Sequence, residues 1–167
     1  MSAETGDVEL VGDAAASNLA RAALFAALIG AFAYVSFPNP VSPAPVTLQV
    51  LGVFLAGILL GPVWGGAACG LYLLAGALGA PVFAGGSAGL GVLVGPTAGY
   101  LWSYPFAAAA IGSVVHGGVS LTDPKAAGLA RLVGAMVLGV VVIYPAEALK
   151  IAAGVGIVRS DAIAAAR

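Results

Sequence analysis

Charge is scarce in this chain: only 8% of its 167 residues are Asp, Glu, Lys or Arg, against roughly a quarter in soluble domains. So few polar groups cannot cover a water-facing surface. With 61% hydrophobic residues and a mean hydropathy of +1.08, the solvent of this chain is the lipid bilayer. A lone cysteine, Cys69, excludes disulfide and zinc frameworks. One histidine and no cluster of carboxylates leave no acid–base or metal constellation to assemble. The net charge of −1 comes without a basic patch, so nucleic acid is not an expected partner. No GxxxxGK[ST] occurs, which excludes a P-loop for ATP. "GLGVLVG" spaces Gly89, Gly91 and Gly95 as GxGxxxG, not GxGxxG, and lacks a βαβ context, so it is no dinucleotide site.

What is present is apolar and helical. Backbone groups in lipid must be paired internally, which admits helices or a closed barrel. The runs are rich in Ala, Leu and Gly without strand-like alternation, so helices are expected. The spans read as Leu19–Phe37, Thr47–Leu60, Val63–Leu78, Thr97–Val115 and Ala126–Tyr144, with a sixth starting at Pro145. The second and third are short or share a tight turn at Gly61-Pro62. Before them, Glu4, Asp7, Glu9 and Asp13 stand without a basic residue, unlike the positive start of a secretory signal. Residues 1–17 read as an acidic, disordered cytoplasmic tail, 18–160 as one transmembrane domain and 161–167 as a second cytoplasmic tail.

Two connections are rich in proline or glycine: "FPNPVSPAPVTLQ", Phe37 to Gln49, and "PVFAGGSAGLGVLVGPTAGY", Pro81 to Tyr100. Six spans with both termini in the cytosol put Arg21, Lys125, Arg131, Arg159 and Arg167 inside, as the positive-inside rule favours. Both connections then lie outside, where the second would cap the bundle.

Few residues can carry chemistry. Between Ala22 and Val158 the charged residues are Asp123, Lys125, Arg131, Glu147 and Lys150. Asp123 and Lys125 belong to a loop, and Arg131 can snorkel to the interface. Glu147 and Lys150, three apart in "YPAEALKIAAGVGIV", share one face of a helix that Pro145 can begin. A mid-bilayer charge costs about 2.5–3.5 kcal/mol, so such residues face a cavity or each other. They read either as a structural ion pair or as a polar pair facing a ligand. Gln49 reads equally as a ligand partner or as a helix-start amide among headgroups. His116 reads as an interfacial loop residue at the cytoplasmic edge. Tyr34, Trp64, Tyr72, Trp102, Tyr104 and Tyr144 read as belt aromatics, and Tyr100 as pocket lining. The first span carries two small-residue tracks, Ala22, Ala26, Gly30 and Ala23, Ala27, Ala31, fit to pack inside the bundle or to dock another subunit.

"PVTLQVLGVFLAGILLGPVWG", "YLLAGALGAPVFAGGSAGLGVLVGPTAGY" and "PAEALK" together resemble the BioY family, the biotin-specific substrate-binding (S) components of energy-coupling factor (ECF) transporters. The resemblance runs from about Ala22 to Ile157. It implies an all-α membrane protein, a six-transmembrane-helix bundle of the S-component type. It also implies biotin capture from outside and uptake across the cytoplasmic membrane of a prokaryote, with biotin as transported ligand and no cofactor. The implied partners are a transmembrane coupling protein and two cytoplasmic ATPases; the chain itself would not be an enzyme. Gln49, Phe83, Gly85, Gly86 and Tyr100 match the family's binding motifs. Glu147 takes the place of a carboxylate, commonly aspartate, three residues before the lysine matched by Lys150. Glu147 suits the ureido N–H groups of biotin, and Lys150 suits its carboxylate or holds Glu147 ionised. Ala22, Ala23, Ala26, Ala27, Gly30 and Ala31 match the face by which such components dock the coupling protein. Other readings are an S component for another vitamin and a membrane-embedded enzyme using Glu147.

One departure stands out. The family carries some twenty or more extra residues before its last motif, whereas here Tyr144 abuts Pro145. Ala126 to Val158 is 33 residues, about 50 Å as helix, too short for two full spans and a turn. Either the last hairpin is compressed or a segment is missing between Tyr144 and Pro145.

Overall fold

The computed structural model describes residues 12–37, 46–95 and 98–165, with side chains through Leu149 except that of Glu147. The bundle is all-α, as expected, but its helices differ in length from the expected spans. The first helix, α1, runs Asp13–Phe32, so residues 13–17 of the expected tail are helical. Asp13 in the first turn favours that start, since a negative charge complements the helix N-terminus. The chain leaves α1 five residues earlier than expected. Ser36–Phe37 (β1) pairs antiparallel with Val46–Thr47 (β2), with Ser36 opposite Thr47. This short ladder brackets the proline segment, whose residues 38–45 lie outside the described residues.

The next helical stretch, α2, spans Gln49–Ala77, yet it is two antiparallel limbs, not one rod. Gly61 adopts φ +75° and ψ −176°, and Pro62 follows it. A Cβ on Gly65 would sit 2.8 Å from the carbonyl oxygen of Ala56, nine positions back, where a straight helix would separate them by about 13 Å. The expected turn at Gly61-Pro62 is therefore present. Its limbs, 49–60 and 62–77, hold 12 and 16 residues, roughly 18 and 24 Å.

Helix α4 (Ala98–His116), preceded by the short α3 (Leu90–Val94), packs against the reversal almost backbone to backbone. A Cβ on Gly112 would meet the Pro62 nitrogen at 2.4 Å. Small residues permit such approach where lipid supplies no hydrophobic drive between helices.

The reversal leaves a carbonyl to satisfy. In a regular helix Ile58 would bond to the N–H of residue 62, but proline has none. His116 Nε2 lies 3.0 Å from that oxygen. The ring's other nitrogen, Nδ1, accepts the Thr122 backbone N–H at 3.0 Å, so Nε2 carries the hydrogen and donates. His116 is thus not an interfacial loop residue: it ends α4, is buried, and clasps loop, α4 and hairpin together. Beside it, Arg131 donates through Nε to the Val114 carbonyl at 2.6 Å, near the α4 C-terminus, where a cation is favoured.

Helix α5 runs Leu129–Ala165 without a break, 37 residues, about 55 Å. The expected sixth span at Pro145 is therefore not a separate element. Proline fits helical φ and transmembrane helices tolerate it. Residues 140–153 hold no glycine with which to build a reversal. Together α1, the two limbs, α4 and α5 make five helical rods, and the separate sixth on which placing both termini in the cytosol rested is absent among the described residues.

Side by side, α1 lies on the first limb of α2, and α4 lies between α2 and α5. Ala22, Ile29, Gly30 and Ala33 are the buried face of α1. Replacing His116 by alanine strands the Ile58 carbonyl and the Thr122 N–H, each at about 1–3 kcal/mol. The melting midpoint in detergent, followed by circular dichroism, should fall by several degrees; an unchanged midpoint would contradict the clasp.

Candidate ligand-binding site

The sequence features set aside as candidates gather at one end of the bundle, because the reversal at Gly61 returns the chain to the level of Gln49. Gln49 opens α2 and is only 2% exposed. A buried amide in apolar surroundings must find partners. Its Oε1 accepts from Thr47 Oγ1 at 2.8 Å, and its Nε2 donates to the Tyr72 hydroxyl on the opposite limb. Gln49 thus lies inside the bundle rather than among headgroups.

From Tyr72 a row of rings extends both ways. Phe83 stands edge-on to it with centroids 5.5 Å apart. Tyr104 lies 6.3 Å away on the other side. Tyr100 is edge-on to Tyr104 at 5.4 Å, and Tyr144 edge-on to Tyr100 at 5.8 Å. The glycine-rich connection, α2, α4 and α5 each contribute, so the row ties the four together. Gln49, Phe83 and Tyr100, singled out in the sequence, are joined through Tyr72 and Tyr104, which read there as belt residues. The spacing of Tyr100 and Tyr104 was the available signal: four apart on a helix places both on one face.

Phe83 is fixed by a missing side chain. A Cβ on Gly76 would fall 2.1 Å from Phe83 Cζ, so the ring occupies the hollow that glycine leaves in α2. The neighbouring Val82 fills the space above Gly30 of α1, and Tyr34 Oη donates to the Pro81 carbonyl at 2.5 Å. Gly89 N–H donates to the Gly76 carbonyl at 2.7 Å. The connection is thereby pinned to α1 and α2. Gly85 and Gly86, at φ +67° and +76°, make its outer turn. Gly85 is exposed and Gly86 sits beside the Tyr34 ring, so neither touches the aromatic row.

Glu147 and Lys150 lie on α5, one and two turns beyond Tyr144 and Ile143. Their positions fall four and seven residues after buried Ile143; their side chains lie outside the described residues. The two alanine tracks separate. Ala22 and Gly30 are buried against α2 with Ala26 half-buried, whereas Ala23, Ala27 and Ala31 are exposed.

A concavity of about 520 Å³ opens between α4 and α5 and is lined by Gly99, Trp102, Ser103, Phe106, Ala146 and Leu149 among others. Its rim is exposed apolar side chain, and the Ser103 hydroxyl already donates to the Tyr100 carbonyl at 2.6 Å. Such a groove suits hydrocarbon rather than a polar ligand.

Comparison with known proteins agrees with this architecture. Residues 4–166 match the BioY family. The chain is 40% identical over 126 residues to the biotin transporter BioY of Thermotoga maritima, covering 75% of this chain and 73% of that one. It is 36% identical over 136 residues to the biotin transporter BioY of Rhizobium etli, covering 76% and 69%. Its fold resembles the crystal structure of the S-component for biotin from an ECF-type ABC transporter, with a TM-score of 0.72 and 25% identity over 85% of this chain and 75% of that one.

Adding one methyl group at Gly76 should expel the Phe83 ring and release the 79–89 connection. Gly76→Ala is expected to destabilise the protein by about 1–3 kcal/mol and to speed proteolysis within that connection. Gly70→Ala on the same limb meets nothing within 4 Å and should behave as wild type. Equal proteolysis of the two variants would show that Phe83 does not anchor the connection.

Proposed function

The chain belongs to the BioY family, and from that membership we propose that it captures biotin and carries it across the cytoplasmic membrane as the substrate-binding component of an ECF-type transporter. The observation that carries this reading is the buried, uncharged polar group Thr47–Gln49–Tyr72 set within a row of aromatic rings. Biotin is a fused bicycle with a neutral ureido head and an anionic valerate tail. Rings flank an apolar bicycle well, and a few placed polar groups supply orientation.

In this reading Gln49, Phe83 and Tyr100 surround the bicycle, and the turn at Gly85 and Gly86 closes over it. Glu147 receives the ureido N–H groups, and Lys150 pairs with the valerate carboxylate. The positive-inside rule puts the N-terminus, the Gly61-Pro62 reversal and the loop carrying Lys125 at the cytoplasmic face, with the site at the outer end. Transport energy comes from partners: a transmembrane coupling protein and two ATPases. Membership of a transporter family also means that the chain is not read as an enzyme.

Calorimetry on the detergent-purified protein should give saturable binding of biotin and none of thiamine or riboflavin. A folded sample that takes up thiamine or riboflavin instead identifies an S component for that vitamin and overturns the biotin assignment. Failure to bind biotin at all overturns it too.

The partner surface follows from the split alanine tracks. The inner track, Ala22, Ala26 and Gly30, serves the bundle, so docking is assigned to Ala23, Ala27 and Ala31. A flat face of small residues lets a second helix approach closely. Ala27→Trp should abolish co-purification of the coupling protein while leaving biotin affinity unchanged. Normal assembly of that variant would exclude this face as the docking surface.

A further inference from the structure

Tyr104 is the most deeply enclosed tyrosine of the aromatic row, with no exposed surface, and its hydroxyl has no hydrogen-bond partner among the described residues. In an apolar interior this is a costly omission, because a buried phenol normally finds a partner. Thr47 lies close enough to interact with the Tyr104 hydroxyl but not in hydrogen-bonding geometry, and the polar groups there bond to each other. Thr47 donates to Gln49, and Gln49 donates to Tyr72. Tyr72 therefore acts as acceptor in that bond, and its own hydroxyl hydrogen remains to be given. Two adjacent phenols, centroids 6.3 Å apart, thus each hold an O–H available for an acceptor.

Resting on the biotin reading above, we infer that Tyr104, with Tyr72 beside it, donates its O–H to the ureido carbonyl oxygen of the bound ligand. The choice of that atom follows from charge. Among the described residues no cationic side chain belongs to the Thr47, Gln49, Tyr72 and Tyr104 group, so a carboxylate set among them would be buried without a counter-ion, which is strongly unfavourable. A neutral carbonyl needs only donors, and two phenols supply them. The bicycle has only one such carbonyl. Tyr100, half-buried and edge-on to Tyr104, is the ring that the ligand displaces on entry. An unmet hydroxyl facing the ligand also gives specificity, because a ligand without an acceptor there leaves it unmet.

Tyr104→Phe removes that one oxygen and preserves the ring. The probes are biotin and 2-iminobiotin, in which an imine nitrogen replaces the carbonyl oxygen and, when protonated, accepts no hydrogen bond. The variant should bind biotin roughly 10- to 100-fold more weakly. Its melting midpoint without ligand should be equal to or above that of wild type, since an unpaired buried group has gone. Protonated 2-iminobiotin should bind weakly to wild type and no worse to the variant. Undiminished biotin affinity in Tyr104→Phe, with wild type binding biotin normally, overturns this assignment alone. Equal losses for biotin and 2-iminobiotin overturn the choice of the carbonyl. If wild type itself binds no biotin, the biotin reading falls and this assignment falls with it.

Discussion

Everything at the Gln49 end of the bundle depends on the reversal at Gly61-Pro62, some twenty ångströms away at the other end by the length of its limbs. Only because the chain turns back there does Gln49 come opposite Tyr72, 23 positions later in sequence. The turn uses a positive φ that glycine adopts without penalty and a proline that cannot complete the preceding helix. It survives burial because His116 takes the stranded Ile58 carbonyl, and because Gly112 lets α4 approach the turn directly. A histidine at the opposite end of the bundle is in this sense a positioning residue for the Gln49–Tyr72 pair.

The opposite end is organised by the same need to satisfy polar groups away from water. Thr47, Gln49 and Tyr72 form a chain of donors and acceptors, and the rings of Phe83, Tyr104, Tyr100 and Tyr144 supply apolar walls around it. The glycine-rich connection is held rather than loose. Phe83 sits in the hollow of Gly76 and Val82 above Gly30, so the connection rests on α2 and α1 together. Helix α1 carries the exposed Ala23, Ala27 and Ala31 on its far side. One helix therefore touches the glycine-rich connection with one face and leaves a smooth face of small residues exposed with another.

Much of this was legible in the sequence, and the misses have physical causes. Scarce charge and long apolar runs were enough for an all-α membrane bundle, and Gly61-Pro62 was enough for the tight turn. The grouping of Gln49, Phe83 and Tyr100 came from motif resemblance, and contacts through Tyr72 and Tyr104 account for it. Those two tyrosines were read as belt residues because composition cannot tell an interfacial phenol from a buried one. His116 was misplaced because its role depends on a carbonyl 58 residues away in the chain. Two equivalent alanine tracks could not be ranked until α2 was seen to cover one of them. The sixth span failed for a local reason: a proline inside an apolar run was read as a break, and α5 simply continues through it.

Where the ligand sits is tested most directly by a structure of the biotin-bound protein in a lipid nanodisc. The ureido head should lie against Tyr72 and Tyr104 near Gln49, with the Tyr100 ring moved aside and the Phe83 connection closed above. Biotin found instead in the groove between α4 and α5, against Trp102 and Phe106 with the aromatic row undisturbed, would contradict the account.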